Sequence, residues 1–469
     1  STYFSPDEYW QALEVAHQIT FGQGYLTWEW DVRLRSVLHP LVFAALYKVL
    51  DLLSLDNDTL FIYAPRILQS VFASLADFYT YRFAFRLFQD QMIANCTLLL
   101  SVFSWWNFFC STRTLANSLE AALTIVALYY WPFDSSLDSS QGQHDDNSLD
   151  EIVLSKEAEH TPQHPSKEHH SSTSLTISLA LASLTCIFRP TAAILWIFLG
   201  GYLLLGYLRQ GKMVAVISTA LQAAVIGGLA ILGSAILDSR FMYHEWVLTP
   251  LNFLRVNVLE GISLFYGSSP WHWYLSQGLP ILFTIYIPPL LYGAVQSWLA
   301  VTGFNAAMKR QMSLVVFILG VNIIMAWYTT MVHQRGVIDV MAWVRDQIRL
   351  GQIQSLGVIM PCHSTPWYSS LHLRDSVPPP TWFVTCEPPL GGIDPTTYKD
   401  ESDIFYDDPV QFMTTQYPKP GQVMDSHLLL FEDLLRRTEM LTWLKKNGYH
   451  EMADNTDIPL DYLEKDYGK

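Results

Sequence analysis

The sequence predicts a mainly α protein that crosses a membrane several times and ends in a small, water-exposed α/β domain. Three observations carry that expectation. Half of the 469 residues are hydrophobic and only 15% are charged. The charge is segregated, with long stretches nearly free of it, an acidic central block and an acidic C-terminal third. Several of the uncharged stretches approach the roughly 20 apolar residues that a helix needs to cross the hydrocarbon core, where no water satisfies backbone groups.

The chain opens on "STYFSPDEYW", which reads as a helix start. Ser5 is a natural N-cap, and Pro6 fits the first turn, where its missing N–H costs nothing. Asp7 faces the positive end of the helix dipole, which should keep it ionised with a lowered pKa, and Glu8 can close a capping box with Ser5. Asp7, Gln11, Glu14 and Gln18 follow at spacings of four, three and four, forming one polar stripe beside Trp10, Leu13 and His17. An ordinary surface helix would show the same stripe.

Next comes "GQGYLTWEWDVRLRSVLHP", which crowds Trp28, Glu29, Trp30, Asp31, Arg33, Arg35 and His39 just ahead of an apolar run. Aromatic rings stack on the apolar faces of sugars, and charged groups between them bind hydroxyls or phosphate. A Trp at a membrane interface also needs no catalytic role. The clearest spans follow: Met92–Cys110, Leu115–Trp131, Leu175–Phe188, Thr191–Leu208, Met213–Leu237, Ile281–Val301 and Met312–Tyr328. Leu41–Leu55 and Phe61–Tyr79 are weaker, being interrupted by Lys48, Asp51, Arg66 and Asp77.

Polar residues at the ends of these spans are costly there, and such groups face a cavity or a partner. "TRTLANSLE" sets Arg113, Asn117 and Glu120 at helical spacing, and "FRPT" sets Arg189 at a break between two apolar runs. A second aromatic cluster, "FYGSSPWHWYLSQGLP", brings Tyr266, Trp271, His272 and Trp273 to the edge of another span. With only Trp and Tyr it would be an interfacial belt; the His between two Trp residues suggests a shaped site.

Residues 134–172 are rich in Ser, Asp, Glu and His and too poor in large apolar residues to order themselves, so they read as a flexible acidic loop. After Tyr328 the pattern changes to Asp339–Arg349 as an amphipathic helix, Leu356–Pro361, Trp382–Cys386 and His427–Phe431 as strands, and Leu434–Asn447 as a helix. Division at 329/330 into a membrane domain and a C-terminal domain follows.

The net charge of −15, with no cluster of Lys or Arg, excludes a nucleic-acid-tracking surface. Five cysteines at irregular spacing make no zinc framework. Cys362 and Cys386 fit either a disulfide on an oxidising side or two buried thiols. No signal peptide precedes Ser1, and the chain starts at a loop with no span before it, so a first helix is expected to be missing.

Taken in order, "YFSPDEYWQALEVAH", "GYLTWEWDVRLRS", "TRTLANSLE", "FRPT" and "FYGSSPWHWYLSQGLP" resemble the dolichyl-phosphate-mannose-dependent mannosyltransferases, which share the multi-spanning GT-C fold. The likeness continues through "HQRGVIDVM" and "MPCHSTPWYSS". It implies an endoplasmic reticulum membrane enzyme with its active site and C-terminal domain on the luminal side. The donor would be dolichyl-phosphate-mannose, and the acceptor the second mannose of a glycosylphosphatidylinositol (GPI) precursor, giving an α-1,2 linkage to a third mannose with inversion. No cofactor or metal is implied, and the partners are lipid-linked sugars and membrane lipids. Asp7 is then the catalytic base, with Glu8 beside it. The substrate-binding candidates are Gln11, Glu14, Trp28, Glu29, Trp30, Arg33, Arg35, Arg113, Asn117, Glu120, Arg189, Tyr266, Trp271, His272 and Trp273.

One departure stands out. Where the family carries His-Lys-Glu-x-Arg-Phe, this chain reads "AVTGFNAAMKRQMSLVVF", with only Lys309 and Arg310 kept. A lost segment, a different mode of donor binding or an inactive chain each fits. Related activities, on dolichol-linked oligosaccharide or adding a fourth GPI mannose, share the fold and donor. A polytopic transporter or a non-catalytic lipid-binding protein are the readings from other classes.

Overall fold

The computed structural model describes residues 2–55, 57–133, 172–288, 290–293, 295, 312–373, 378–391, 393–394, 397–418, 423–451 and 461–465. The acidic loop at 134–171 and most of the segment around Lys309 and Arg310 lie outside them.

Among the described residues three helices are long and apolar enough to cross a membrane: Asp58–Phe88, Pro190–Arg209 and Met213–Tyr243. Asn57 starts the first by accepting from the Leu60 N–H, and Gln89 ends it in the left-handed region at φ 51°. The interrupted run Phe61–Tyr79 is therefore part of one continuous helix, because its charged residues find partners. Arg66 pairs with Glu8, and Asp77 accepts from Ser101 at 2.6 Å.

This helix packs on Gln91–Val102 and on Ala116–Tyr130, which packs in turn on Ser172–Phe188, which meets Met213–Asp238. Outside the bundle, Ile194, Ile197, Phe198, Val214, Ile217 and Leu221 are exposed, a surface suited to lipid and not to water.

Two expected spans come out differently. Met92–Cys110 breaks into helices of 12 and 6 residues, Gln91–Val102 and Trp105–Cys110. Ser104 leaves the helical region there and caps the second helix, and Asn322 from the Met312–Met331 helix accepts the Trp105 N–H at 2.9 Å. Hydropathy sees one apolar run because the break is made by a cap and a partner, not by charge. The Ile281–Val301 run is also interrupted, by a 3₁₀ turn at Thr284–Tyr286 with Thr284 at φ 41°; residues 296–301 are outside the described set.

The C-terminal strands are β1 (Leu356–Ile359), β2 (Thr381–Phe383), β3 (His427–Leu430), β4 (Tyr449–Glu451) and β5 (Asp461–Lys465), in the order β2-β1-β3-β5-β4. The first three are parallel and buried on both faces, as parallel strands require. Leu356, Val358, Phe383 and Leu429 face the Gly336–Arg349 helix, and Ile359, Trp382, Leu428 and Leu430 face Phe405, Phe412, Met413 and Leu444. A Cβ at Gly357 would come within 2.7 Å of the Leu428 side chain and 2.8 Å of the Asp425 carboxylate, so a larger residue would have to push both aside. The expected Leu434–Asn447 helix is divided into Glu432–Leu435 and Thr438–Lys446 by extended backbone at Arg437.

One face of this sheet shares a core with the N-terminal helix: Tyr9, Trp10, Leu13 and Ala16 pack with Val340, Met341, Val358 and Trp367. Residues on both sides of position 329 thus contribute to one core, which fixes the opening segment against the sheet.

Candidate active site

Residues 7–21 form the opening helix, and five of them, Tyr9–Leu13, are π-helical, with the Glu14 N–H bonded to the Tyr9 carbonyl. At its start the Ser5 carbonyl accepts from the Glu8 N–H at 3.3 Å, and the Pro6 carbonyl accepts from Tyr9 at 3.0 Å and Trp10 at 2.9 Å. One extra residue per turn rotates everything downstream by roughly 100°. The polar stripe is thereby split. Asp7 and Gln11 stay on one side, while Glu14 turns to the C-terminal sheet.

Asp7 is half-buried, and burial raises its carboxyl above the usual range. Arg35 and Arg189 pull it down and Glu29 pushes it up, without overturning the loss of water. The lowered pKa expected from the helix dipole is therefore corrected: desolvation outweighs the dipole.

Glu29 is the hub of the neighbouring polar cluster. Its carboxylate accepts from Gln11 at 3.2 Å, from Thr27 at 3.3 Å and from Arg35 at 2.8 Å. Trp28 and Trp30 on either side are both buried, Trp28 against Leu34, Val256 and Ile262, and Trp30 against Val15 and Val37. Two rings pulled into separate apolar clusters leave Glu29 between them facing Gln11 and Arg35.

Arg35 is held from behind. Its carbonyl accepts from the Tyr243 hydroxyl at 2.6 Å. The next two residues are tied to the buried Asp238, with Ser36 at 2.9 Å and the Val37 N–H at 2.7 Å. Arg189, just ahead of Pro190, lies 3.6 Å from Glu120. Arg35 and Arg189 line one small cavity of about 80 Å³ with Ser36, Phe188, Thr249 and Phe253. The arrangement is one carboxyl that burial makes more basic, within the field of two guanidiniums that line a pocket at the edge of the spanning helices.

The chain matches the Alg9-like mannosyltransferase family over residues 1–310 and 297–372. It is 35% identical to GPI mannosyltransferase 3 of Yarrowia lipolytica, covering 96% of this chain and 88% of the relative. It is 32% identical to human GPI alpha-1,2-mannosyltransferase 3, covering 96% and 80%. For the mannosyltransferase APTG1 of Arabidopsis thaliana the figures are 32%, 96% and 84%. No solved structure matches the chain.

The chain belongs to the Alg9-like mannosyltransferase family.

In this mannosyltransferase, several sequence-predicted residues do structural work. Glu8, fully buried, meets Arg66 and Arg113 at 2.8 Å each. It does not close a capping box with Ser5, because two guanidiniums are stronger partners than one backbone N–H. Arg113 also bonds the Thr2 carbonyl and hydroxyl and the Phe109 carbonyl, so its donors are used in tying down the N-terminus. The helix begins only at Ala116, so Arg113 does not share its face, and Asn117 is exposed.

Glu14 accepts from the Trp367 N–H at 3.2 Å, the Ser369 N–H at 2.8 Å and the Ser369 hydroxyl at 2.5 Å. It is a tie to the C-terminal sheet, with a carboxyl raised to about 7 by burial. Arg33 sits at φ 60° and pairs with Glu245 near the surface. Tyr266 stacks on Trp28 at 6.4 Å and reaches the field of Glu29 and Arg35. Trp271 is 86% exposed, and the His272 ring bonds to the Ser276 hydroxyl at 3.0 Å. Trp273 packs on Tyr274. Among the described residues no hydrogen bond, ion pair or ring contact joins the Trp-His-Trp segment to Asp7.

Sequence reading missed His363. The loop after β1 carries it against the Trp10 ring, with centroids 4.3 Å apart, and within the field of Glu29. Burial lowers its pKa to about 4, so it is neutral here. Its presence in "MPCHSTPWYSS" was the available signal. Cys362 and Cys386 flank it as a disulfide. Their sulfurs and His363 lie within 4.8 Å of one another, but the bond between the sulfurs removes them as metal ligands.

Proposed function

We propose that this mannosyltransferase moves mannose from dolichyl-phosphate-mannose to the second mannose of a GPI precursor, adding the third in α-1,2 linkage with inversion. The observation that carries the proposal is Asp7, which lies within the field of Arg35 and Arg189, the two guanidiniums that line the pocket. Asp7 takes the proton from the acceptor hydroxyl as its oxygen forms a bond to the anomeric carbon. The bond from that carbon to the phosphate oxygen breaks, and dolichyl phosphate leaves with the electron pair. A base must be ionised to act, and a carboxyl raised by burial is the stronger base once ionised. Arg35 and Arg189 offer charge to the departing phosphate.

The relatives named GPI alpha-1,2-mannosyltransferase 3 support the choice of acceptor and linkage. The Cys362–Cys386 disulfide supports an oxidising compartment, hence the endoplasmic reticulum with the C-terminal sheet in its lumen. The test is Asp7→Asn in cells lacking this step. The wild-type chain should restore GPI anchoring, and Asp7→Asn should lower transfer in membranes by about 10²–10⁴-fold. Anchoring retained by Asp7→Asn would sink the catalytic base. Transfer by the wild type should rise with pH through a limb above the ordinary carboxyl value of 3.8.

A further inference from the structure

The three parallel strands on one side of the C-terminal sheet lie in the order β2-β1-β3, with β2 at the edge. The chain leaves β1 for β2 on one side, then passes back over β1 to β3 on the other. The first connection packs Trp367 and Leu371 on one face of the sheet, and the second packs Phe405, Phe412 and Met413 on the opposite face. Connections that depart to opposite faces leave a crevice beyond the carboxyl ends of the strands, the place where open α/β sheets hold ligands.

A cavity of about 580 Å³ opens at that place. Small-molecule sites run about 300–1,000 Å³. Pro361, just past the end of β1, and Phe431, directly after β3, line it with Tyr406, and Glu432, Asp433 and Arg437 supply its charge. Arg436 engages Glu432 at 2.8 Å, whereas the Arg437 guanidinium has no hydrogen bond or ion pair among the described residues. Arg436, beside the lining, neutralises Glu432, and Asp433 and Arg437 balance each other, so the crevice favours a ligand without net charge. Carboxylates accept from hydroxyls, a guanidinium donates to ring and hydroxyl oxygens, and aromatic rings cover the apolar face of a pyranose.

We propose that this crevice is a second carbohydrate-binding site, for a short uncharged oligosaccharide. It shares no residue with the Asp7 centre and goes beyond the transfer reaction. Its effect is to hold a glycan on the C-terminal sheet, independent of catalysis.

The experiment measures binding of mannotriose to the full chain in detergent, by calorimetry and ligand-detected NMR. The wild type should bind saturably. Arg437→Ala and Asp433→Asn should each raise Kd about tenfold or more, as expected for loss of a charged hydrogen bond. Glu29→Gln, in the reaction centre, should leave Kd unchanged while lowering transfer. Absence of saturable binding overturns the proposal, as does binding lost only in Glu29→Gln, or displacement of the sugar by inorganic phosphate at equal concentration. Asp433 is on the surface, so Asp433→Asn keeps the test decisive if Arg437→Ala does not fold.

Discussion

Replacing Glu14 with Gln should remove a pH dependence from the seam between the opening helix and the C-terminal sheet. Glu14 is fully buried, and burial holds its carboxyl at about 7 against an ordinary 4.5, although Ser369 and Trp367 bond to it. A carboxyl whose folded pKa is raised keeps its proton in the folded state where the unfolded chain has lost it. Its stabilisation is thus complete below 4.5 and disappears as pH rises through about 7. The whole shift corresponds to something on the order of 3 kcal/mol, and the part between pH 5 and pH 8 to about 2.5 kcal/mol. Gln keeps the carbonyl that Trp367 and Ser369 need and places an amide where Oε2 has no partner among the described residues. The readout is hydrogen exchange of the Ser369 amide, corrected for intrinsic rate, from pH 5 to pH 8. The opening free energy should fall with pH in the wild type and stay flat in Glu14→Gln. Parallel curves for the two proteins would refute the reasoning.

Three further outcomes follow from the same packing. Glu8→Gln leaves Arg66 and Arg113 buried without their shared carboxylate, so it should cost about 3–5 kcal/mol, read as a lower thermal midpoint in detergent; an unchanged midpoint counts against the clamp. Glu29→Gln removes the charge that holds Arg35, and KM for the lipid donor should rise about tenfold or more; lower kcat at constant KM would place Arg35 elsewhere in the cycle. Cys386→Ser opens a loop spanning 24 positions, which should cost about 3 kcal/mol, and reductant should then no longer affect denaturation of the C-terminal sheet.

Much of the candidate site was legible because composition marks it. Acidic and basic residues beside Trp, at the edge of apolar runs, are rare enough to notice, which marked Glu29 and Arg35; Asp7 and Gln11 came from the helix start and its polar stripe, and Arg189 from the break between two apolar runs. His363 and Asp238 were not. A single His in a loop, or an Asp ending an apolar helix, carries no pattern until a distant element arrives beside it. The Trp-His-Trp segment shows the converse, a conspicuous local pattern that no described contact joins to Asp7. Glu8 and Arg113 were legible as functional in type but not in role, since nothing local reveals that each neutralises the other.

By itself the sequence determined that this is a helical membrane protein with a C-terminal run of strands and helices, since hydropathy and periodicity are properties of neighbouring residues. It also marked Asp7 at a helix start and placed charged aromatic loops ahead of the spans. Only the tertiary structure decided which carboxylates face the pocket. The π-helical turn at Tyr9–Leu13 sends Glu14 to the sheet and leaves Asp7 and Gln11 beside Glu29. That turn, the break at Ser104 and the burial of Asp7 arise from packing between segments far apart in the chain, and no local spacing encodes them.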